Sequence, residues 1–191
     1  LAALHRDEII SPDDLPLKYC ALSTCFRKEA GSHGKDTLGI FRVHQFEKIE
    51  QFIYSDPEES KNQHKKLMEV TEGIYKKLGL PYQVIAIVSS ALNDNAAIKY
   101  DLEAWFPGSE TYRELVSCTN CKDYQARKIK TRVGKAGSGD SKMLHTLNST
   151  AIATERTMCC ILENYQQADG SVKVPDVLVP FMGGKTVIEA R

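Results

Sequence analysis

The chain has 191 residues, 42% hydrophobic and 26% charged, with 25 basic side chains balanced by 25 acidic ones. That length suits one well-filled domain, and the charge balance leaves no global field for nucleic acid, so any such contact has to be local or made elsewhere. No apolar run approaches the roughly 20 residues that cross a bilayer, and Leu1-Ala2-Ala3-Leu4-His5-Arg6-Asp7-Glu8 is no signal peptide, so a soluble, intracellular protein without a membrane partner is expected. The absence of an initiator Met and a start that reads as mid-element sequence suggest a piece of something longer.

The first strand is expected over residues 15–24, after Pro12 and Pro16. The pattern continues to Glu29, with Cys25, Arg27 and Glu29 on one face by the two-residue strand period. Residues 30–39 are a Gly-bearing connection far longer than a hairpin turn. A second strand, from Phe41 to Tyr54, puts Arg42, His44, Phe46, Lys48 and Glu50 on one face. Paired as a hairpin, the two runs give a platform of arginines, glutamates and a flat ring. A guanidinium fork grips phosphate oxygens, a carboxylate accepts from an exocyclic amine and Phe46 stacks on a π-system, so the platform suits a polyanion joined to a planar base. A solvated charged face is the alternative that this pattern alone leaves open.

Asp56-Pro57-Glu58-Glu59 reads as a capped helix start, with an apolar stripe of Leu67, Val70, Ile74 and Leu78 and a stop at Gly79 and Pro81. The nearly all-apolar run 82–89 predicts a central strand covered on both faces. Further strands are expected over 98–106 and 113–118, with Glu114 and Val116 on one side, then a helical turn over 123–127 and a strand over 128–133. Residues 134–141 have only the glycine spacing of a phosphate-binding loop, and Asp140 stands where that motif needs Lys, so that reading is rejected. A strand over 143–148 is expected to give way at Ser149 to a helix through Tyr165. Ser149, Ala151 and Ala153 are small at alternate positions, and Arg156, near the helix N-terminus, needs an anionic partner, for which Glu155 is a candidate. Asp176 opens a short helix ending near Met182-Gly183-Gly184. The six cysteines, Cys20, Cys25, Cys118, Cys121, Cys159 and Cys160, lie in strand and helix patterns and are expected as reduced thiols. Cys118-Thr119-Asn120-Cys121 has zinc-ligand spacing but no second pair, so no structural zinc is expected.

Phe26-Arg27-x-Glu29, a loop and Arg42-x-x-x-Phe46 resemble the second signature motif of the class II aminoacyl-tRNA synthetases, and Ser149-x-Ala151-x-Ala153-x-Glu155-Arg156 resembles the third. Within that class, Gly39-Ile40-Phe41-Arg42-Val43-His44-Gln45-Phe46, Tyr112-Arg113-Glu114-Leu115-Val116-Ser117-Cys118, Asp123-Tyr124-Gln125-Ala126-Arg127 and Glu163-Asn164-Tyr165-Gln166 are similar to the seryl enzymes. The resemblance covers essentially the whole chain. It implies an α+β fold, mainly an antiparallel β-sheet flanked by helices, as a single domain over 1–191 that is part of the catalytic core.

The resemblance also implies a cytoplasmic ATP-dependent ligase that activates L-serine to seryl-adenylate and transfers it to tRNA(Ser). Its implied catalytic residues are Arg27, Arg42 and Arg156. Arg27 would hold the α-phosphate and the serine carboxylate, with Lys28 beside it and Glu29 receiving the adenine amino group. Arg42 and Arg156 would grip the β/γ end next to Val43, and Phe46 would lie under adenine with Arg156 on its other side. Glu114, Leu115, Val116 and Ser117 match ATP-binding positions, with Glu114 and Ser117 also the Mg²⁺ positions, while Glu50, Asn148 and Thr150 match serine-facing ones. The loop 31–39 is where the tRNA acceptor end would be met. The class's first motif, the Thr-x-Glu segment of the seryl enzymes and their tRNA-binding helical arm are not in these residues. Charging is therefore expected of a full-length homodimer rather than of this piece alone, and a synthetase-like nucleotide-binding regulatory module without charging activity is the alternative.

Overall fold

The structure is a computed structural model that describes residues 1–28, 39–135, 137 and 139–190. Its strands and helices are, in chain order, β1 (Ile9–Ile10), β2 (Leu17–Phe26), β3 (Gln45–Ser55), α1 (Ser60–Leu78), β4 (Tyr82–Ala86), β5 (Ile98–Phe106), β6 (Thr111–Asn120), α2 (Tyr124–Ile129), β7 (Arg132–Gly134), β8 (Ser141–Met143), β9 (His145–Ala153), α3 (Thr154–Tyr165), β10 (Val172–Lys173) and β11 (Val187–Ile188). Six strands form one sheet in the order β2-β3-β9-β6-β5-β4, with every neighbouring pair antiparallel. Helices α1 and α3 pack on it, which is the expected α+β, mainly antiparallel architecture. Two small sheets, β1-β7-β8 and β10-β11, sit outside the main one.

The hairpin of β2 and β3 pairs from Leu17 opposite Tyr54 to Phe26 opposite Gln45. Its second strand starts later than the alternation predicts. Residues 41–44 lie outside the ladder because Phe41 turns into the core and packs edge-on against Phe106 at 5.3 Å, which pulls the chain off the pleat. Arg27 and His44 bridge the gap, as the Arg27 N–H donates to the His44 carbonyl at 2.8 Å and His44 Nδ1 lies 3.1 Å from the Arg27 carbonyl.

The expected helix start lies one turn early. Asp56 accepts from the Glu58 N–H at 2.9 Å, but α1 begins at Ser60. The stripe is also rotated: Val70 is exposed, Ile74 is half-buried, and Gln63, His64, Met68, Thr71 and Tyr75 join Leu67 and Leu78 on the buried side. Several of the polar residues on that side find a partner across the packing. Gln51 Nε2 donates to Thr71 Oγ1 at 3.1 Å, which also bonds Ser149 Oγ at 3.2 Å, and the Tyr75 hydroxyl meets Thr157 Oγ1 at 3.1 Å.

Three strand readings need correction. The apolar run 82–89 is not central: β4 is the edge strand, with Val84 and Ala86 exposed, so its apolar residues are covered on one side at most. The segment 149–153 is strand, not helix, because the ladder to β3 continues to Ala153 and the ladder to β6 reaches Ser149, and that pairing outweighs any helical spacing. The expected strand over 128–133 shrinks to β7, since α2 runs to Ile129 and closes on Lys130 in the left-handed conformation.

Two ladders slip by one residue. In β6, Leu102 of β5 faces Val116 and Glu103 faces Glu114, so Leu115 is the extra residue of a bulge. Glu114 and Val116 therefore point to opposite faces, contrary to strict alternation, and Glu114 shares a face with Ser117 instead. In β9, Ile49 faces Ile152 and Glu50 faces Thr150, which skips Ala151 and puts Thr150 and Ala153 on the face of Lys48 and Glu50.

Gly79 ends α1 with φ 68°, and a Cβ there would stand 2.5 Å from the Tyr165 hydroxyl, which donates to the Leu78 carbonyl at 2.7 Å. Gly79→Ala is expected to cost about 2 kcal/mol or more, a drop of several degrees in thermal midpoint measured by calorimetry. His64 lies under β6 with Nε2 3.1 Å from the Cys118 carbonyl, and burial holds its pKa below the usual 6.5. The unfolded chain therefore binds a proton that the folded chain refuses, so stability is complete above 6.5 and declines as pH falls from there toward the lower folded value. His64→Gln is expected to flatten that decline in chemical denaturation followed between about pH 7 and pH 5.

Candidate functional site

The cleft face of the sheet carries Phe46, Lys48 and Glu50 from β3, Thr150 and Ala153 from β9, and Glu114 and Ser117 from β6. The segment before β3 and the first turn of α3 close over it and leave a pocket of about 130 Å³. Arg27, Arg42, Val43, Phe46, Glu114, Leu115, Ser117, Thr150 and Arg156 all line it, so most of the residues singled out from sequence meet there. Phe41, Lys48, Ala153 and Glu155 line it as well and were not among the sequence candidates. Lys48 is visible in the alternation, whereas strict alternation from Arg42 would put Phe41 on the opposite face, and only the break in the strand brings it in.

Four of the described candidates lie outside its lining. Val116 is fully buried in the core behind the sheet, as the bulge at Leu115 requires. Lys28 is exposed and does not line the pocket, and Glu29 lies outside the described residues, as does most of the loop 31–39. Glu50 stands directly opposite Thr150 on the β3–β9 ladder, and Asn148 is one step further along β9 on the same face. Thr150 Oγ1 donates to Glu50 Oε2 at 3.2 Å, Lys48 Nζ pairs with that oxygen at 2.7 Å, and Asn148 Nδ2 points to Cys121 Sγ at 3.8 Å.

Charge sets the character of the pocket. Arg27 follows the last residue of β2 and lies over the Phe46 ring, 4.9 Å from its centroid. Arg156, 15% exposed, enters from the first turn of α3, where the helix dipole disfavours a cation. Its partner is Glu114 rather than Glu155: Nη1 donates to the Glu114 carbonyl at 3.0 Å and stands 3.5 Å from the Glu114 carboxylate, which is 44% exposed. Glu155 instead accepts from the Glu47 N–H at 3.0 Å and from Thr154 Oγ1 at 2.8 Å, which ties the start of α3 to β3. The Arg156 guanidinium lies over Phe41, 4.7 Å from its centroid, and not over Phe46.

Behind Ser117, across the ladder, sits Asp101, 95% buried, with Lys99 Nζ at 3.4 Å and an Oδ1 that no described residue bonds. Burial, and then the Glu114 charge, pushes its carboxyl up from the usual range. The Cys118–Cys121 pair, by contrast, belongs to the packed interior, with thiols pushed up by burial to about 12 and about 11.

A face with three guanidiniums, a flat ring, an accessible carboxylate and a hydroxyl, joined to a second carboxylate one step away, can bind a phosphate chain with an attached base and an amine beside it. Residues 1–165 match the family model of the tRNA synthetase class II core domain (G, H, P, S and T), and the chain belongs to that family. Within it, a serine–tRNA ligase of Methanosphaera stadtmanae is 83% identical over 191 residues, and a cytoplasmic one of Arabidopsis thaliana 60% identical over 192 residues. Those matches cover 100% and 98% of this chain but 45% and 42% of the relatives, so the chain spans less than half of their length. Two solved structures superpose closely. A cytoplasmic serine–tRNA ligase from Naegleria fowleri in complex with AMP gives a TM-score of 0.94 at 53% identity, over 100% of this chain and 45% of that one. A seryl-tRNA synthetase from Pyrococcus horikoshii complexed with ATP gives 0.95 at 49% identity, over 100% and 42%.

Because Glu155 holds the Glu47 amide through its carboxylate, Glu155→Ala is expected to speed hydrogen exchange of that amide roughly tenfold, read by NMR, with amides in the middle of β9 unaffected.

Proposed function

We propose that the protein containing these residues is an ATP-dependent serine–tRNA ligase. It activates L-serine to seryl-adenylate with release of pyrophosphate, then transfers serine to the 3′-terminal ribose of tRNA(Ser). The reading rests on one observation: Arg27, Arg42 and Arg156 converge on a single cleft that leads to the Glu50–Thr150 pair, in a chain so similar to serine–tRNA ligases. Residence in the cytoplasm is proposed with it, because several relatives carry cytoplasmic names. A homodimer is proposed for the full-length protein.

In activation a serine carboxylate oxygen attacks the α-phosphorus, the bond to the β-phosphate breaks and pyrophosphate leaves. Such a step needs little proton transfer but strict in-line placement and neutralisation of charge. Arg27 neutralises the α-phosphate and orients the carboxylate, Arg42 and Arg156 hold the leaving β/γ end, and Phe46 supplies a stacking surface for adenine. Glu29 takes the adenine amino group and Lys28 flanks the ATP, as the family pattern implies. Glu50 accepts the serine ammonium and Thr150 and Asn148 face its hydroxyl. Since Lys48 already pairs with Glu50 at 2.7 Å, an incoming ammonium has to share or displace that contact. Mg²⁺ fits the Glu114 carboxylate and Ser117 hydroxyl, an oxygen-only pair that leaves the remaining positions to phosphate and water. When bound it would spread the phosphate charge beside the arginines. The loop 31–39 is proposed to meet the tRNA acceptor end.

Serine-dependent ATP–pyrophosphate exchange by the full-length protein tests this reading. Serine should support exchange while threonine and proline do not, and a protein that binds ATP without exchange would be the regulatory module instead. In the same assay Glu50→Gln should raise the KM for serine roughly 10- to 100-fold, the worth of a hydrogen bond to a charge, with the KM for ATP within twofold of wild type. An equal loss of both would count against the role given to Glu50.

A further inference from the structure

Arg156 carries a charge that its place on the helix does not favour. It is mostly desolvated, and it stands in the first turn of α3, on the positive end of the helix dipole. Glu114 compensates from one direction. Another support is the Phe41 ring, whose centroid lies 4.7 Å from the Arg156 guanidinium carbon. A second guanidinium, that of Arg113 in β6, lies over the same ring at 4.8 Å and over Phe106 at 5.6 Å.

No strand ladder fixes where Phe41 sits, because it precedes β3 by four residues. Its ring, 8% exposed, is set by side chains alone: Phe106 edge-on at 5.3 Å and an interplanar angle of 88°, and Arg113 over its face. The peptide that anchors this ring also carries the next residue, Arg42. A polar cleft lined by Arg42, Arg113, Glu114 and Arg156 opens beside the main pocket, and Phe41 is part of the wall of both.

We infer that Phe41 is a positioning residue for the arginines that hold the leaving phosphates: its π face seats Arg156, its backbone places Arg42, and Arg113 locks the ring from β6. The inference rests on the proposed ligase reading for what those arginines bind. A leucine at position 41 would fill much of the same space and keep the contact with the core, but it has no quadrupole to attract a guanidinium. The consequence is therefore expected in the binding of phosphates and not in folding.

The test compares the full-length wild type with Phe41→Leu, Phe41→Tyr and Arg113→Met in ATP–pyrophosphate exchange, alongside thermal melting. Phe41→Leu should raise the KM for ATP and for pyrophosphate roughly 3- to 30-fold, the range of a desolvated cation–π contact, with the serine KM and the melting midpoint little changed. Phe41→Tyr, which keeps the ring, should restore the ATP KM to within about threefold of wild type. Arg113→Met should act in the same direction, and combined with Phe41→Leu it should add little, because both act through one ring. The inference is overturned by an unchanged ATP KM in Phe41→Leu, by a tyrosine as impaired as the leucine, by full additivity of the two changes, or by ATP and serine KM rising together with a lowered melting point. If the wild type itself shows no serine-dependent exchange, the ligase reading fails. Equilibrium dialysis of ATP against wild type and Phe41→Leu then decides the positioning role separately, with equal affinities overturning it.

Discussion

A strand shows every second residue to one face, so side chains three apart in β6 or β9 cannot meet in one cleft unless the ladder slips. Both ladders do slip, by one residue at Leu115 and by one at Ala151. The first bulge brings Glu114 to the face of Ser117 and sends Val116 into the core, and the second brings Thr150 and Ala153 to the face of Lys48 and Glu50. Without these two insertions Glu114 would turn away from Ser117, and Ala153, with the start of α3, away from Thr150.

Each face of the sheet then has a distinct task. The side covered by α1 carries the main hydrophobic cluster, including Leu102, Val116, Cys118 and Leu147, together with polar links such as Gln51 to Thr71 that fix the helix in one register. The other side holds charge, and its order comes from pairwise compensation. Lys48 and Thr150 share the Glu50 carboxylate, Glu114 and Phe41 share Arg156, and Phe46 carries Arg27. Two structural clamps close the arrangement at the rim: Glu155 on the Glu47 amide and the His44 carbonyl on the Arg27 amide. A cleft organised this way is preformed for a polyanion and does not depend on the burial of apolar surface for its shape.

Much of this was legible in the sequence, and the failures share a cause. The hairpin, β5, α2, the glycine stop of α1 and the approach of Arg27, Arg42, Phe46 and Arg156 to one another follow from period, punctuation and resemblance. What did not follow depends on contacts between distant segments. The edge position of β4 is a matter of sheet order, which an apolar run of five or six residues does not encode. The strand at 149–153 is held by the ladder to β3, some 100 residues away, joined at Ser149 by the one to β6, against a local pattern that reads as helix. The pairing of Arg156 with Glu114 in place of the adjacent Glu155, and the capture of Phe41 by Phe106 and Arg113, are likewise long-range choices. A bulge, finally, has no fixed sequence signature, so the parity change at Leu115 is visible only once β5 is beside it.

The proposed ligase would hold its adenylate, from base to amino group, on one face of this sheet, made continuous by the two bulges. A crystal structure of the full-length protein with a non-hydrolysable seryl-adenylate analogue tests it most directly. The account predicts the adenine ring on Phe46, the phosphate mimic on Arg27 and the ammonium at Glu50, with Leu115 and Ala151 still unpaired in their ladders. An analogue seated away from the Glu114, Ser117 and Thr150 face, or a site formed only after either bulge is ironed out, would contradict it.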